Sequence, residues 1–316
     1  MLIRFLSSAI RLSATFLYGS TGEILIEKGG HLNLGIPGVM SVGAAAGCLT
    51  EYLLVMSMGT SVPILLVIIP LLVTIIAGAL MGLLYSVLTV TLRANQNVVG
   101  LAMTTFGVGL AGYLINSQSQ MMVIARASKY FRNFFSVTGD NWFVQIFLSH
   151  GVLVYLAIIV AIVVQIVLSK TRTGLNLRAV GENPATADAV GINVTKYRYV
   201  STCIGCAISA IGGLFCIMDY MGGNWEYILE GFGWLSIALV IFTMWRPALA
   251  IPGSIIFAGL YIVANYVTGV SFAQIELINT LPYVVTVLVL IVTSIFDKKG
   301  AQPPAALGTS YFREER

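Results

Sequence analysis

The residue types that carry out chemistry in proteins are scarce in this chain and do not group together. Cys203 and Cys206 form a C-x-x-C pair, a spacing that can bind a metal ion or exchange disulfides. No second C-x-x-C and no histidine lies near this pair, which falls in an apolar segment. We therefore interpret both cysteines as small packing residues, and we assign no catalytic role to the two histidines, His31 and His150.

A chain that hydrolysed ATP would need a loop that holds the phosphates. In the common form of that loop, G-x-x-x-x-G-K-[ST], backbone N–H groups surround the phosphates. The sequence lacks this pattern, and no group of His, Cys, Asp and Glu falls at one depth along the apolar segments. We therefore expect no enzyme activity, no catalytic residue, no metal site and no cofactor bound by this chain.

Composition places the chain among membrane proteins. Of its 316 residues, 58% are hydrophobic and 9% are charged, against roughly 25% charged in soluble domains. Residues 94–125 carry no charge, and residues 231–296 carry only Arg246 and Glu276. Because an apolar run of roughly 18 residues can cross a bilayer as a helix, we predict one membrane domain over residues 1–316. Its fold class is all-α, a polytopic transmembrane helix bundle with about 8–10 spans.

The predicted spans alternate with short hydrophilic connections. The spans lie near residues 5–22, 33–56, 63–91, 97–116, 142–168, 199–218, 231–247, 249–267 and 281–296. The connections are 23–32, 92–96, 117–141, 169–198, 219–230, 268–280 and the tail from residue 297. The first segment contains Arg11, and the sequence leaves open whether it crosses fully or re-enters.

The distribution of Lys and Arg predicts the orientation. Residues 170–198 and the C-terminal tail fall on the same side, because four predicted spans separate them. Of the 17 basic residues, three lie on the other side (Arg126, Lys129 and Arg132), and two belong to the first segment. The remaining 12 share the side of the tail, and cytoplasmic loops carry such an excess. We therefore predict a multi-pass protein of the plasma membrane with a cytoplasmic C-terminus.

A polar strip at residues 170–198 interrupts the apolar pattern with seven charged residues. Within it, the run NPATADAVG predicts a short cytoplasmic helix. Asn183 suits the N-cap, Pro184 the first helical position, and Gly191 the left-handed residue that ends a helix. The exposed side of this helix is small and mildly apolar, which suits a shallow groove on a partner. The alternative is an ordinary capped loop helix, with Asp188 either a partner contact or solvated. The residues that we predict to contact a partner are Glu182, Asn183, Pro184, Ala185, Thr186, Ala187, Asp188 and Gly191.

Small and polar residues inside the spans support two further predictions. Gly43 with Gly47, and Gly78 with Gly82, are spaced so that helix backbones can approach closely; helices that slide during transport are the alternative reading. A second set of polar residues could line a pathway for a neutral solute, or could simply form hydrogen bonds between helices. That set is Asn33, Ser41, Asn97, Thr104, Thr105 and Asn265, with Thr286 a further candidate.

Acidic residues are too few in the spans to indicate an ion relay, since such residues mark ion pathways in transporters. Glu51 is the one exception, and we place it at the interface because it lies near the end of a span. The acidic connection at residues 219–230 could seat a binding protein, or it could be a solvated loop.

Five segments resemble one family of transporters. Residues 174–199, GLNLRAVGENPATADAVGINVTKYRY, look like the cytoplasmic coupling loop of ABC-importer permeases of the branched-chain amino acid, simple-sugar and nucleoside superfamily. Residues 21–47, TGEILIEKGGHLNLGIPGVMSVGAAAG, resemble that family's N-terminal signature. Residues 94–110, residues 231–247 and the tail PPAALGTSYFREER resemble permeases of its nucleoside, basic-membrane-protein group. Two positions depart from the family pattern: Pro37 replaces an acidic residue, and His31 replaces a small polar one.

The resemblance implies a function and a set of partners. The chain would be the permease subunit of an importer that moves nucleosides by alternating access, with residues 183–191 as its coupling helix. Separate cytoplasmic ATPase subunits would bind ATP and Mg. A second, related permease would complete a heterodimer, and an extracellular or periplasmic lipoprotein would deliver the substrate. Membrane lipid is the remaining partner, and no nucleic acid is expected. The alternatives are a permease for simple sugars such as ribose and, in a different class, an autonomous secondary transporter.

Overall fold

Helices are the expected form for so apolar a chain, because a backbone in lipid must satisfy its own N–H and C=O groups. The structure is a computed structural model that describes residues 2–59, 62–137, 139, 141–225, 229–267, 269, 271–296 and 302–312. Within them, all regular secondary structure is helical. The α-helices are α1 Leu2–Glu27, α2 Ile36–Met58, α3 Leu65–Ser86, α4 Gln96–Leu114, α5 Gln118–Asn133, α6 Val152–Lys170, α7 Arg172–Glu182, α8 Pro184–Ala189, α9 Val194–Phe215, α10 Leu229–Phe242, α11 Pro247–Ile262, α12 Phe272–Asn279 and α13 Leu281–Phe296. Short π-helical or 3₁₀ segments are Val87–Thr91 after α3, Val144–Leu148 before α6, Cys216–Tyr220 after α9 and Val263–Tyr266 after α11.

The predicted helical membrane bundle is confirmed. Among the described residues, six helical stretches have the length and apolar composition to cross a membrane. They are Ile36–Met58, Leu65–Thr91, Gln96–Leu114, Val152–Lys170, Val194–Tyr220 and Pro247–Tyr266. Two shorter apolar helices, within α10 and over α12–α13, accompany them. The stretch formed by α9 is the most enclosed of the six, with 78% of its apolar window buried, and it packs against α1, α2 and α3.

Helix α1 runs from one end of the bundle to the other, but it is not among the six candidate membrane spans, so a full crossing by the first segment stays a prediction. It is continuous over 26 residues and buried from Leu12 to Glu27. Near one end, Nε of Arg11 donates to Oδ1 of Asp219 at 2.7 Å. At the other end, the indole N–H of Trp245 donates to the carboxylate of Glu27. We call the end that holds Glu27 and α8 the α8 end, and the end that holds Arg11 and Asp219 the opposite end.

Glycines let α2 and α3 approach α9 closely, as their spacing predicted. A Cβ atom added at Gly43 or at Gly78 would lie 2.5 Å from the Cβ of the same residue, Ala210. A Cβ at Gly82 would lie 2.8 Å from the carbonyl oxygen of Thr202. Because no real Cβ tolerates such distances, these three positions require glycine for the observed packing.

Three predicted connections contain helices that sequence reasoning did not assign. Residues 117–141 include α5, residues 169–198 include α7 in addition to α8, and residues 268–280 include α12. The predicted span 142–168 was also wrong at its start, because α6 begins only at Val152. A search for long apolar runs misses helices that bury only one side.

Helix α5 shows how such a helix is stabilised. Its buried residues are Ile124, Ala127, Ser128 and Phe131, which recur at the three- and four-residue spacing of one helix face. Its N-terminus carries a capping box, in which Ser117 and Gln120 exchange side-chain and backbone hydrogen bonds. The spacing of the buried residues and the capping box both involve residues close together in the chain, so both could have been recognised from the sequence.

Two acidic residues are buried among the helices. Glu51 is fully buried, and neither of its carboxylate oxygens has a hydrogen-bond partner among the described residues. Helix α2 turns this side chain into the bundle, and its position at the membrane interface stays a prediction. Asp219 is fully buried as well and pairs with Arg11, so this carboxylate does not face solvent. Of the other acids in that connection, Glu230 is exposed, and Glu226 lies outside the described residues.

Candidate functional site at the α8 end

Helix α8 has the boundaries that its sequence predicted. Oδ1 of Asn183 accepts the backbone N–H of Thr186 at 3.0 Å, and Pro184 occupies the first helical position. Gly191 has a φ of 87°, the left-handed conformation that favours glycine. The N–H of Ile192 then donates to the carbonyl of Ala187 at 3.0 Å, which closes the helix. Each end of α8 is therefore fixed by its own residues.

One side of α8 packs inward and the other is exposed. Ala187 is 1% exposed and packs with Val180 of α7 and Val194 of α9. Ala185, Thr186 and Ala189 are exposed, and so is Val190, at 72%. The outer side of α8 therefore presents small side chains and one apolar group, a surface that a shallow groove could receive.

Helix α7 fixes the position of α8 relative to α6. Thr171 alone separates α6 from α7, and its hydroxyl caps α7 by accepting the N–H of Gly174 at 3.1 Å. Asn183 alone separates α7 from α8. The chain from α6 to α8 therefore contains only two non-helical residues, Thr171 and Asn183.

The C-terminal tail segment, residues 302–312, lies against α7 and α8. The N–H of Ala306 donates to the carbonyl of Gly181 at 3.0 Å, and that of Ala305 donates to Oε2 of Glu182 at 3.2 Å. The hydroxyl of Tyr311 donates to Oδ2 of Asp188 at 2.9 Å. Asp188 therefore has a partner inside the chain itself, which neither sequence alternative for this residue included.

The tail segment also contacts the α1–α2 and α3–α4 connections. The N–H of Gly308 donates to the carbonyl of Gly30 at 3.2 Å. Nε2 of Gln96 donates to the carbonyl of Thr309 at 3.3 Å. The guanidinium of Arg93 lies 4.9 Å from the centre of the Phe312 ring. The tail segment thus joins three connections at the α8 end, as the predicted placement of tail and polar strip on one side requires.

Polar groups are buried just inside this surface. The carboxylate of Glu23 accepts the N–H of Asn33 at 3.0 Å. Oδ1 of Asn33 accepts the N–H of Gly35 at 2.9 Å, while its Nδ2 lies 3.5 Å from the sulfur of Cys206. Asn33 therefore holds the entry to α2 against α1 and α9.

His31 belongs to the same buried region. Its Nδ1 lies 3.0 Å from the hydroxyl of Thr202, and Nε2 has no partner among the described residues. The ring packs edge-on against Tyr85, whose hydroxyl donates to the carbonyl of Leu32 at 2.7 Å. Burial lowers the pKa of His31 to about 3, and the positive charge of Arg198 acts in the same direction. The imidazole is therefore neutral at pH 7.

The turn between α10 and α11 adds an aromatic group to this region. Met244 and Trp245 both have positive φ, 53° and 54°, which is costly for residues with a Cβ. That backbone directs the indole of Trp245 to the buried carboxylate of Glu27. Sequence reasoning placed Glu23 and Glu27 in a hydrophilic connection; they lie instead in the last turns of α1 and are buried.

The predicted pathway residues do not converge. Asn33, Ser41 and Thr104 are buried, and the hydroxyls of Ser41 and Thr104 donate to the carbonyls of Pro37 and Leu34 at 2.8 Å. Their polar groups are therefore used within the packed bundle.

The other candidates lie elsewhere. Asn97 and Thr105 are exposed on one side of α4, and Asn265 is exposed near the opposite end. Thr286 is buried, and its hydroxyl donates to the carbonyl of Pro282 at 2.8 Å. The exposed side of α4 is the one place where two of these residues share an accessible face.

The sequence did not lead us to expect that Arg198, at the α8 end, is buried. It appeared as one of seven charges in a solvated strip, but it is 2% exposed. The signal that could have found it is its position in the second turn of α9, on the side that carries the buried residues Ser201 and Thr202. Periodicity would have separated it from its exposed neighbour Lys196.

Comparison with known proteins relates the chain to one family. The family described as branched-chain amino acid transport system / permease component matches residues 5–294. The nucleoside ABC transporter permease protein NupC of Lactococcus lactis is 31% identical, over 96% of this chain and 95% of that protein. The guanosine ABC transporter permease protein NupQ of Bacillus subtilis is 27% identical, over 96% and 95%. A candidate glucose ABC transporter permease protein of Haloferax volcanii is 26% identical, over 98% and 97%.

Proposed function

Because this chain belongs to the family of branched-chain amino acid transport system permease components, we propose that it is the subunit through which an ABC importer moves nucleosides across the plasma membrane. The chain is a multi-span ABC permease of the nucleoside and sugar type, and its relatives are transport subunits and not enzymes. Nucleosides are the proposed substrate because the named substrates of two long matches are a nucleoside and guanosine. Sugars are the second candidate, since a long match is named for glucose.

The observation that carries the proposed coupling is the construction of α8. Its ends are capped, its inner side packs on α7 and α9, and its outer side presents Ala185, Ala189 and Val190. A six-residue helix gains little stability by itself, so this support indicates a surface that keeps its shape. We place a cytoplasmic ATPase subunit against that outer side, with ATP and Mg bound by the ATPase.

Transport then follows from the short connections around α8. ATP binding and hydrolysis on the partner would displace α8, and α7 would pass the displacement to α6 through Thr171. The contact of Ala187 with Val194 would pass the displacement to α9 as well. Opposed rocking of helices around a central site is the general means by which transporters alternate their access.

The remaining partners complete this proposal. A second, related permease would contact this chain as a heterodimer, and a substrate-binding lipoprotein would dock at the opposite end. The exposed side of α4 is our candidate for the pathway, because Asn97 and Thr105 lie eight residues apart on it. In this arrangement residues 1–316 act as one membrane domain, with the C-terminus in the cytoplasm.

A bulky charge on the outer side of α8 tests the coupling role. We expect Ala185→Arg to reduce nucleoside uptake and ATPase co-purification at least about tenfold, because an arginine cannot enter a groove shaped for a methyl group. The matched control is Ala248→Arg, an exposed alanine at the same end but outside α8. Membrane level and thermal stability are measured for both variants. Equal uptake by the two variants would remove α8 from the coupling surface.

Substrate class is tested with the assembled importer. Cells that produce the permease, its ATPase and its binding protein are given radiolabelled guanosine, uridine, ribose or glucose. We expect the two nucleosides to enter and to compete with each other, while an excess of ribose leaves their uptake unchanged. Uptake of ribose or glucose in preference to both nucleosides would establish the sugar alternative. Uptake by this chain alone in ATP-free vesicles would establish a secondary transporter.

A further inference from the structure

A groove of about 530 Å³ lies between α6 and α9 on the outside of the bundle. Both helices pack against α1, and Leu25 of α1 lines the groove. Leu25, Val164 and Ile208 are buried and form its floor, whereas Val163 of α6 and Ile204 of α9 are 51% and 49% exposed and form its rims. The groove is therefore open along one side of the bundle.

The groove lies in segments that can be inside the membrane. Helix α6 and the helical stretch Val194–Tyr220 are two of the six candidate spans. The lining residues within 159–167 and 200–208 are aliphatic except for Ser201. Because lipid tails are as apolar as leucine side chains, an acyl chain packs on such a surface as well as a protein side chain does. The surroundings and the lining of the groove therefore both call for an apolar occupant.

The length of the groove matches one leaflet of a bilayer. At a rise of about 1.5 Å per residue, its lining on α6 (residues 159–167) extends over about 12 Å and its lining on α9 (residues 197–208) over about 16 Å. One half of a hydrocarbon core of about 30 Å is about 15 Å. These residues belong to the last part of α6 and the first part of α9, which are the parts nearest the α8 end. The groove therefore covers the leaflet at the α8 end.

Helix α7 closes the groove at that end. Thr173, Gly174 and Leu177 of α7 line it, and Thr171 alone joins α7 to α6. A transmembrane helix of another protein has to cross both leaflets, so α7 would block it. An acyl chain extends only from its headgroup to the middle of the bilayer and needs no passage beyond α7. The shape of the groove therefore favours a lipid over a partner helix.

A tyrosine lines the groove where a lipid headgroup would lie. The hydroxyl oxygen of Tyr197 accepts a hydrogen bond from Nδ2 of Asn176 at 2.9 Å. The hydroxyl proton of Tyr197 has no acceptor among the residues that the structure describes. Tyrosine is enriched at the level of the headgroups, where its ring is in apolar surroundings and its hydroxyl meets polar groups. Tyr197 therefore offers one unused donor to a headgroup oxygen.

The charges at this end of the groove are basic. Lys170, the last residue of α6, and Arg172, the first residue of α7, are both exposed. Residues 152–181 and 189–218, which supply all of the lining except Leu25, contain no Asp or Glu. Basic groups beside gaps between transmembrane helices bind anionic headgroups on the cytoplasmic side. The charge of the groove therefore complements an anionic lipid.

The acids of α1 do not offset this charge. Glu23 and Glu27 lie on either side of Leu25 in the sequence, but both are buried. The carboxylate of Glu23 accepts the N–H of Asn33, and that of Glu27 accepts the indole N–H of Trp245. Neither carboxylate is available to pair with an exposed base at the groove.

We propose that the groove between α6 and α9 is a binding site for an anionic phospholipid of the leaflet at the α8 end. One acyl chain lies in the groove against Leu25, Val164 and Ile208. The phosphate lies beside Lys170 and Arg172, and the headgroup region receives the hydroxyl proton of Tyr197. This site depends on the membrane crossing of α6 and α9 and not on the identity of the transported substrate.

Photo-crosslinking to the full-length chain tests the proposal. The chain is reconstituted into phosphatidylcholine vesicles with a trace of phosphatidylglycerol or of phosphatidylcholine, each carrying a diazirine on its acyl chain, and labelled peptides are located by mass spectrometry. We expect phosphatidylglycerol to label the groove at least about fivefold more than phosphatidylcholine does. The two lipids should label the exposed face of α3, at Leu72, Ile76 and Leu80, equally. Added unlabelled phosphatidylglycerol should reduce the labelling of the groove and not that of α3.

Two matched pairs of variants separate the site from the fold. Val163→Trp fills the groove from its rim and should reduce labelling of α9 by phosphatidylglycerol about threefold or more, because bulk in the groove excludes the chain. Ile162→Trp is its control, since Ile162 is similarly exposed on α6 but lies outside the groove. Labelling of α3 and thermal unfolding in detergent show for each variant that the fold is retained.

The second pair tests the headgroup. Lys170→Gln/Arg172→Gln should bring labelling of the groove by phosphatidylglycerol close to that by phosphatidylcholine, because the attraction for the phosphate is lost. Arg126→Gln/Lys129→Gln removes two exposed basic residues of α5 and should leave the preference unchanged.

Three outcomes would overturn the proposal. Labelling of the groove no stronger than that of α3 would show that no lipid is held there. Equal labelling of the groove by the two lipids would show an acyl chain without selection for an anionic headgroup. Loss of groove labelling when the second permease is reconstituted with this chain would assign the groove to that subunit.

Discussion

At the scale of single residues, the ion pair at the opposite end illustrates how charges are placed in this bundle. Arg11 and Asp219 are separated by 208 residues, and the carboxylate is fully buried. A Cβ at Gly151 would collide with Oδ2 of Asp219, so there is no room for another partner on that side. Arg11 is therefore the ion-pair partner of Asp219 in this structure.

Removal of one member of this pair should destabilise the protein more than removal of both. We expect Arg11→Met to lower the free energy of unfolding by about 3 kcal/mol, because it leaves a buried carboxylate without its cation. The double variant Arg11→Met/Asp219→Asn should recover much of that loss. Unfolding by a denaturing detergent measures both values. If the single variant were as stable as wild type, Asp219 would have to be neutral without its arginine.

Residues as far apart in the chain as Arg11 and Asp219 could not be paired from the sequence alone. The caps of α8 were predicted correctly, because Asn183, Pro184 and Gly191 act on backbone groups within a few positions. The partner of Asp188 was not, because Tyr311 lies 123 residues away and only the fold brings it near.

At the scale of helices, the contact of α2 and α3 with α9 depends on glycine. Gly43 and Gly78 both face Ala210, from two different helices. The four-residue spacing of small residues predicted close packing, but the identity of the facing helix follows only from the tertiary structure. Amphipathic helices such as α5 were missed for a different reason. Long apolar runs indicate spans, whereas α5 is indicated only by the spacing of the residues on its buried face.

One methyl group tests this packing. We expect Gly43→Ala to lower stability by about 1–3 kcal/mol, because its Cβ would lie 2.5 Å from that of Ala210 and the helices would have to separate. Gly109→Ala in α4 is the matched control, since a Cβ there meets nothing within 4 Å. The control should be neutral or slightly stabilising, as alanine is the better helix former. Thermal unfolding in detergent compares the two; equal melting temperatures would show that α2 and α9 can move apart freely.

At the scale of the whole molecule, the two ends of the bundle differ in the segments and charged residues that they bring together. The α8 end collects the tail segment, the polar strip and the α3–α4 connection, held together by hydrogen bonds. The opposite end collects Arg11, Asp219 and the segment before α6. The four predicted spans between the polar strip and the tail predicted this grouping, whereas the cytoplasmic side of the α8 end stays a prediction from the count of basic residues.

Labelling with a membrane-impermeant maleimide tests the orientation. In a background without native cysteines, we expect Trp142→Cys to react in intact cells and Val190→Cys to react only in inverted vesicles. Both positions are exposed, at 60% and 72%, so a difference reports sidedness and not burial. Reaction of both cysteines from the same side would contradict the crossing of the bundle by α6.

The contact between Tyr311 and Asp188 has a consequence for biogenesis. During translation, α8 leaves the ribosome 123 residues before the tyrosine that will bond to it. The hydrogen bond between Tyr311 and Asp188 can therefore form only after α9 to α13 have been synthesised. If α8 receives the ATPase as we propose, the surface around it gains this contact only after the last helix has been made.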